Sequence, residues 1–169
     1  MTAKKPRTAP PLDPGERARL LAGEHHDPHA LLGAHPVKGG VAIRVLRPWA
    51  RGVTAVLPKG RTVELHDDGD GLFSVLVPLL RKVPAYELRV RYEGSEVAVR
   101  DPYRHLPSLG DLDLHLIGEG RHEELWTALG SRAMTHEGVT GTRFAVWAPN
   151  ARGVRVTGDF THWDGSGLP

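Results

Sequence analysis

Between Val41 and Arg100 the sequence changes character every second residue, and turn-forming residues interrupt it at short intervals. Tyr86, Leu88, Val90 and Tyr92 alternate with Glu87, Arg89 and Arg91, the cleanest alternation in the chain. A period of two puts one set of side chains on a buried face and the other in water, which is the pattern of a half-buried strand. Val41, Ile43 and Val45 alternate likewise, and Arg47-Pro48 closes that run. Val53 to Leu57 ends at Pro58-Lys59-Gly60, and Val63 to Leu65 is short. Leu72 to Val77 follows the turn His66-Asp67-Asp68-Gly69-Asp70-Gly71, and Glu93-Gly94-Ser95 leads into Val97 to Val99. Six or seven short strands in about sixty residues predict an immunoglobulin-like β-sandwich.

The acidic turn invites comparison with a calcium loop. Counted from Asp68 the third position is acidic, but the fifth is Leu72 and the twelfth is Leu79, so the EF-hand pattern fails. A hairpin turn using Asp and Gly for positive φ accounts for it.

The 169-residue chain also repeats itself. Pro48-Trp49-Ala50-Arg51-Gly52-Val53 aligns with Pro149-Asn150-Ala151-Arg152-Gly153-Val154 at an offset of 101, five identities in six. At an offset of 97, Gly23, His25, Leu32 and Gly33 fall on Gly120, His122, Leu129 and Gly130. A period near one hundred is the size of a sandwich domain, so two tandem modules are expected, the second incomplete. Within the second, Phe144, Val146 and Ala148 predict one strand and Val154, Val156, Gly158 and Phe160 another, joined through Pro149-Asn150 as an antiparallel pair.

Residues 1–15 hold four prolines and three basic residues, and that composition predicts a flexible tail. Leu20 and Leu21 sit in a helical piece ended by Gly23, and Asp27-Pro28 opens a second piece through Leu32. His25 and His29 have a spacing that suits zinc on one helix face, but a helix starting at Asp27 leaves His25 outside. Hydrogen-bonded structural histidines are the expectation, with no metal. Leu125, Trp126 and Leu129 have helical spacing in a connector between the modules. Trp126 is expected to pack on a neighbour, with a sugar platform as the other reading.

Composition excludes several classes. Cysteine is absent, which removes disulfides and thiolate metal sites. No apolar run approaches the ~18 residues of a membrane helix. The tail lacks a secretory h-region, so a cytoplasmic protein is expected. Net charge is only +2 and no aromatic-basic motif is present, so nucleic acid is not an expected partner.

Two strings carry a resemblance. FAVWAPNARGVRVTGDFTHWDG (Phe144 to Gly165) and HDPHALLGAHP (His26 to Pro36) resemble the N-terminal part of bacterial 1,4-alpha-glucan (glycogen) branching enzymes. Asp101 to Gly130 is similar to that family's linker. The resemblance implies an all-β chain: a flexible segment 1–15, an N-terminal sandwich of family 48 carbohydrate-binding-module type at 16–107, a short helical linker at 108–130, and the start of a second, truncated module at 131–169. It implies binding of alpha-1,4-glucan or glycogen and an influence on transferred chain length. The chemistry would belong to a family 13 barrel, which needs ~250 residues and is expected on a separately encoded chain or a missing continuation. The retaining mechanism needs two carboxyl groups ~5 Å apart. Asp159 and Asp164 form the nearest local pair and are read as turn and domain-contact residues, so no catalytic residue and no cofactor is expected. The chain departs from the family pattern at Ser131-Arg132, at Thr161-His162 and at Ser166 to Pro169. A stand-alone glycogen-binding or protein-interaction module is the alternative reading.

Sugars are held by aromatic rings stacked on their faces. Trp49, Trp126, Trp147, Trp163 and Tyr92 are the available rings, and packing competes with binding at each. Trp49, in a turn, and Trp163, after the last expected strand, are the two glycan-binding candidates.

Overall fold

The computed structural model describes residues 7–78, 80, 82–151, 154–159 and 163. The chain divides into two compact units, 1–106 and 107–169.

The first unit is a sandwich of two antiparallel four-stranded sheets. One has the order β1 (Gly33–Val37), β2 (Gly40–Leu46), β6 (Leu72–Pro78), β5 (His66–Asp67). The other has the order β4 (Thr62–Glu64), β3 (Gly52–Val56), β7 (Glu87–Tyr92), β8 (Ser95–Val99). The expected immunoglobulin-like sandwich is therefore present. β4 and β5 are nearly continuous, and the chain changes sheets at the buried Leu65. Val41, Ile43, Val45, Phe73, Val75 and Val77 from the first sheet meet Val53, Ala55, Leu88 and Val90 from the second in one core. Burying each of these side chains other than Ala55 contributes ~1.5–3 kcal/mol. The alternation at 86–92 translates directly: Leu88 and Val90 are buried while Glu87, Arg89 and Arg91 face out.

β2 and β6 differ, because both of their faces are covered. The second covering comes from the N-terminal segment. Helix α1 (Pro14–Ala22) is capped by Asp13, whose carboxylate accepts from Gly15 and Glu16 N–H, and ends at left-handed Gly23. Its Leu20 packs with Leu32 and Leu72, and Leu12, Leu46 and Tyr103 close around them. Residues 7–15 are thus not a flexible tail. β5 is two residues long, so it leaves the Leu76 N–H without a partner strand, and the Arg7 carbonyl accepts it at 2.7 Å. Ala9 is buried, and the buried Arg44 donates to the Pro10 carbonyl at 2.8 Å.

Two other expectations in this unit change. The segment after Asp27-Pro28 is a single 3₁₀ turn, Pro28–Ala30, whose Ala30 N–H is taken by the Asp27 carboxylate. Gly33 then opens β1 rather than stopping a helix. β1 escaped the sequence pattern because GAHPV has no alternation of large apolar residues. At the far end, Asp101 is buried and its carboxylate accepts from the Tyr86 hydroxyl at 2.5 Å and from Tyr103 N–H at 3.1 Å. Burial raises the Tyr86 hydroxyl far above its usual pKa, with the Asp101 charge adding to the shift, so Tyr86 remains a donor.

The second unit holds α2 (Asp111–Gly118), the one-turn α3 (Leu125–Ala128) and an antiparallel hairpin of β9 (Gly130–His136) and β10 (Val139–Ala145). This pairing corrects the expected one. The strand foreseen at Phe144 to Ala148 ends at Ala145, and residues 154–157 carry no strand; Phe160 lies outside the described residues. The register explains it. β10 takes β9 as its partner from Val139↔His136 to Ala145↔Gly130, and Leu129 ends that partner. The link is Glu137-Gly138, with φ of 48° and 80°, the two left-handed residues of a type I′ turn. Arg143 in β10 donates to the carbonyls of Ala128 (2.6 Å) and Thr127 (3.3 Å), and so caps the end of α3.

The repeat is visible in three dimensions as matching local structure. In each unit an acid in the first helical turn meets a histidine nine residues later: Glu16 with His25, and Asp113 with His122 at 3.0 Å. These pairs stand 97 residues apart. Gly23 and Gly120 are both left-handed, as are Gly33 and Gly130 at the start of β1 and β9.

Tyr86→Phe is expected to lower unfolding free energy by about 2 kcal/mol, because it leaves a buried carboxylate short of a donor. Urea denaturation measures this, and a change under about 0.5 kcal/mol would remove the bond from the account. Gly138→Ala, which forces a Cβ into a left-handed turn, is expected to cost about 1 kcal/mol and to speed amide exchange along β9 and β10.

Candidate carbohydrate-binding surface

Trp49 lies in the link between β2 and β3. Ala50 N–H donates to the Arg47 carbonyl at 3.3 Å and closes a four-residue turn with Pro48 and Trp49 at its centre. Pro48 sets the first central φ, and Trp49 takes φ = 63°, the combination of a type II turn. Arg47 N–H donates to Gly71 O at 2.7 Å and ties the turn to the β5–β6 corner. A Cβ on Gly71 would fall 2.9 Å from Arg47 O and from Pro48 Cα, so only glycine admits this approach. Trp49 is 89% exposed. A bulky residue in the left-handed region carries strain of ~1–3 kcal/mol. Two residues on, Arg51 pairs with Glu93 at 3.2 Å, and both side chains are exposed. Neither was singled out from the sequence, because ion pairing between β3 and the β7–β8 turn depends on sheet order.

Arg51 and Gly52 also border a cleft of about 440 Å³ at the edge of the sandwich, with Arg7, Glu64, His66 and Phe73 among its lining residues. Nothing in the sequence pattern announces it, since it arises where the chain crosses between sheets.

Trp163, in the second unit, is 70% exposed with φ = 59°. Its indole N–H donates to the Asp159 carboxylate at 2.9 Å, and its backbone N–H to Gly158 O at 3.0 Å. Asp159 therefore serves as an acceptor for the ring; Asp164 lies outside the described residues. Trp126 is exposed rather than packed, because one turn of helix directs Ala128 inward and the residue two before it to the opposite side. Val146 and Trp147 are exposed beyond the end of β10, and Phe144 is exposed within it. Tyr92 is half-buried against the sandwich core. Trp49 and Trp163 thus sit in different units, each exposed on a left-handed residue.

The histidines have structural surroundings. Asp27 N–H donates to His25 Nδ1 at 3.1 Å, so that nitrogen carries no proton and Nε2–H faces Glu16. That bond holds the Glu16 carboxyl below its usual range, as the bond from His122 does for Asp113. His29 lies edge-on to Tyr103, ring centroids 5.0 Å apart. Its Nδ1 is buried without a hydrogen-bond partner. The acidic turn is filled by Arg17 of α1, which donates to Asp70 at 2.9 Å and to the Asp68 and Gly69 carbonyls at 3.2 and 3.3 Å. Among the described residues no cluster of three metal-ligating side chains forms. No described helix is long and apolar enough to cross a membrane.

The family model described as "alpha-1,4-glucan branching enzyme GlgB, N-terminal domain" matches residues 13–103, more than half of the chain. The chain belongs to this family. A second model, carbohydrate-binding module 48 (isoamylase N-terminal domain), matches residues 128–169. A 1,4-alpha-glucan branching enzyme GlgB of Kitasatospora aureofaciens is 66% identical over 163 residues, which cover 96% of this chain and 21% of that protein. GlgB 1 of Streptomyces coelicolor is 67% identical over 161 residues, 95% of this chain and 20% of that one. The chain spans about a fifth of the length of these curated relatives. The pullulanase structure from Bacillus acidopullulyticus aligns over 40% of this chain and 9% of its own at 20% identity and a TM-score of 0.36, too loose a likeness to bear on the fold.

A pH dependence follows from His29. Desolvation lowers its pKa from the usual 6.5, outweighing the pull of Asp27 and Asp101, while His35 reinforces the lowering. The folded state thus favours the neutral ring, and the unfolded state binds the extra proton as pH falls below 6.5. Stability from this group is complete above 6.5 and is lost progressively below it. The urea midpoint is expected to hold between about pH 8 and 6.5 and to decline towards about pH 5, with His29→Gln flattening the decline.

Proposed function

We propose that this chain is the glucan-handling N-terminal region of a 1,4-alpha-glucan branching enzyme. It binds alpha-1,4-glucan, glycogen included, and positions it so that segments of a given length reach a catalytic domain. The tandem matches at 13–103 and 128–169 carry this reading, since they join a branching-enzyme domain to a carbohydrate-binding one on a single chain. The names of the relatives supply the substrate class. In domain terms we assign 16–107 to the first module, 108–130 to the linker and 131–169 to the carbohydrate-binding module.

The branching step cuts an alpha-1,4 bond and remakes the link as alpha-1,6. A retaining route needs a carboxylate nucleophile and a carboxylic acid ~5 Å apart across the bond. We assign that pair to a family 13 barrel, on this polypeptide or another, and no residue of 1–169 to it. Binding by the present residues would act through proximity, raising the local concentration of chain ends near the barrel. Trp163 fits a role in contact with glucan: it offers an exposed ring whose edge is fixed by Asp159. We place the chain in the cytoplasm.

Native electrophoresis in gels containing glycogen tests the proposal. The purified chain is expected to be retarded, and soluble maltoheptaose is expected to restore its mobility. Unchanged mobility across glycogen concentrations would overturn glucan binding by this region.

A further inference from the structure

We infer that Trp49 is a carbohydrate-stacking platform on the first unit, giving the chain a contact with a neutral glucan additional to any made by residues 128–169. The inference rests on the reading that the region handles alpha-glucan, and concerns a residue outside the carbohydrate-binding match.

Strain is the first argument. Trp49 holds φ = 63° while 89% of its surface faces water, so burial does not offset the cost of the left-handed backbone. The fold does not require tryptophan there. The equivalent turn of the repeat closes with the same bond, Ala151 N–H to Ala148 O at 3.0 Å, and carries Asn150 where the first copy carries Trp49. Asn150 is not among the described residues with positive φ. The second copy thus closes its corresponding turn with a smaller, polar residue and no left-handed backbone there, so a large ring is not what closing a turn at this place in the repeat demands.

The surroundings identify the ligand. Among the described residues the other large apolar side chains exposed in this unit are Val83, Val97 and Leu106, none of them aromatic, and Trp49 is flanked by Arg47 and Arg51. A protein interface needs a contiguous, well-packed apolar centre, and a single ring among charges does not supply one. Stacking on a nucleic-acid base would need an accompanying cationic track. Here Arg51 is paired with Glu93, and Arg47 donates to the Leu46 carbonyl at 3.1 Å. A paired guanidinium and carboxylate offer both donors and acceptors with no net charge, which matches hydroxyl groups. A glucose ring has an apolar C–H face for the indole and hydroxyls around its edge for that pair. The Arg47–Gly71 bond and the close approach of Gly71 to Arg47 and Pro48 hold the backbone of the turn before any ligand arrives, so only side-chain freedom is lost on binding.

The chain has four tryptophans, so four indole N–H signals are expected in a ¹H–¹⁵N correlation spectrum, and Trp49→Phe identifies one by its loss. On titration with maltoheptaose the Trp49 signal is expected to shift. Trp49→Phe should bind at this site to within a few-fold, and Trp49→Gly about tenfold more weakly. Trp49→Gly should also raise Tm, since glycine relieves the left-handed strain; that rise shows the variant folded, and separates a lost contact from a lost structure. Shifts confined to Trp126, Trp147 or Trp163 would overturn this inference and leave glucan handling by the region standing. An unmoved spectrum would overturn both.

Discussion

β2 and β6 are paired along their whole length and buried on both faces, and the first unit is arranged around that requirement. One face is satisfied by the opposing sheet, as in any sandwich. The other bears Ala42, Arg44, Leu46, Leu72, Ser74 and Leu76, a mixed set that neither water nor a plain apolar layer would suit. The N-terminal segment meets both demands. Leu20 of α1 covers Leu72, while the Pro10 carbonyl takes the Arg44 guanidinium and the Arg7 carbonyl takes Leu76 N–H. A buried cation costs several kcal/mol unless paired or hydrogen-bonded, so the backbone at 10 is held by charge as much as by shape. Desolvation lowers the Arg44 pKa, the Asp68 charge opposing it, in keeping with that burial.

This explains what could be read from the sequence. β7 was legible because one of its faces is in water, so its alternation survives. The even-numbered face of β2 has the pattern of a solvent face, yet it is covered, and its covering has the composition of a flexible tail. Proline-rich composition at 6–14 signals extension correctly but does not tell extended and docked from extended and free. β1 and β9 escaped for a different reason. Both follow a left-handed glycine and hold few large apolar residues, so their existence depends on a partner strand rather than on their own pattern. The Glu137-Gly138 link was legible in principle as a two-residue turn, but the stronger Pro149-Asn150 signal drew the strand boundary away from it.

Of the candidate surface, residue types were legible and relations were not. An exposed Trp49 follows from its place between Pro48 and Ala50 in a turn. That its backbone is left-handed, and that Arg51 two residues on pairs with Glu93, depends on β3 lying next to β7 and on Gly71 approaching the turn. Those relations are long-range. Asp159 shows the same thing in reverse: read alone it is one member of a tempting carboxylate pair, and in place it accepts from the Trp163 indole.

The repeat separates what the two copies need from what they do differently. The acid–histidine pairs at 16/25 and 113/122 and the left-handed glycines after each helix and at each strand start recur at one spacing, and a hairpin follows in each copy. These groups join a helix to the loop that follows it and set where the next strand begins, through local bonds. The pairs are not identical in detail. His25 Nδ1 receives Asp27 N–H, whereas His122 Nδ1 is buried with no partner, so the first copy locks its ring more completely. The clearest divergence falls one strand later, at the turn where Trp49 and Asn150 correspond. A position that folding leaves unconstrained is free to be used for recognition. The first copy places an exposed ring on a left-handed residue there, and the second has a small polar residue. Shared positions thus account for the local structure common to the two copies, and the change from Trp49 to Asn150 lies on an exposed turn.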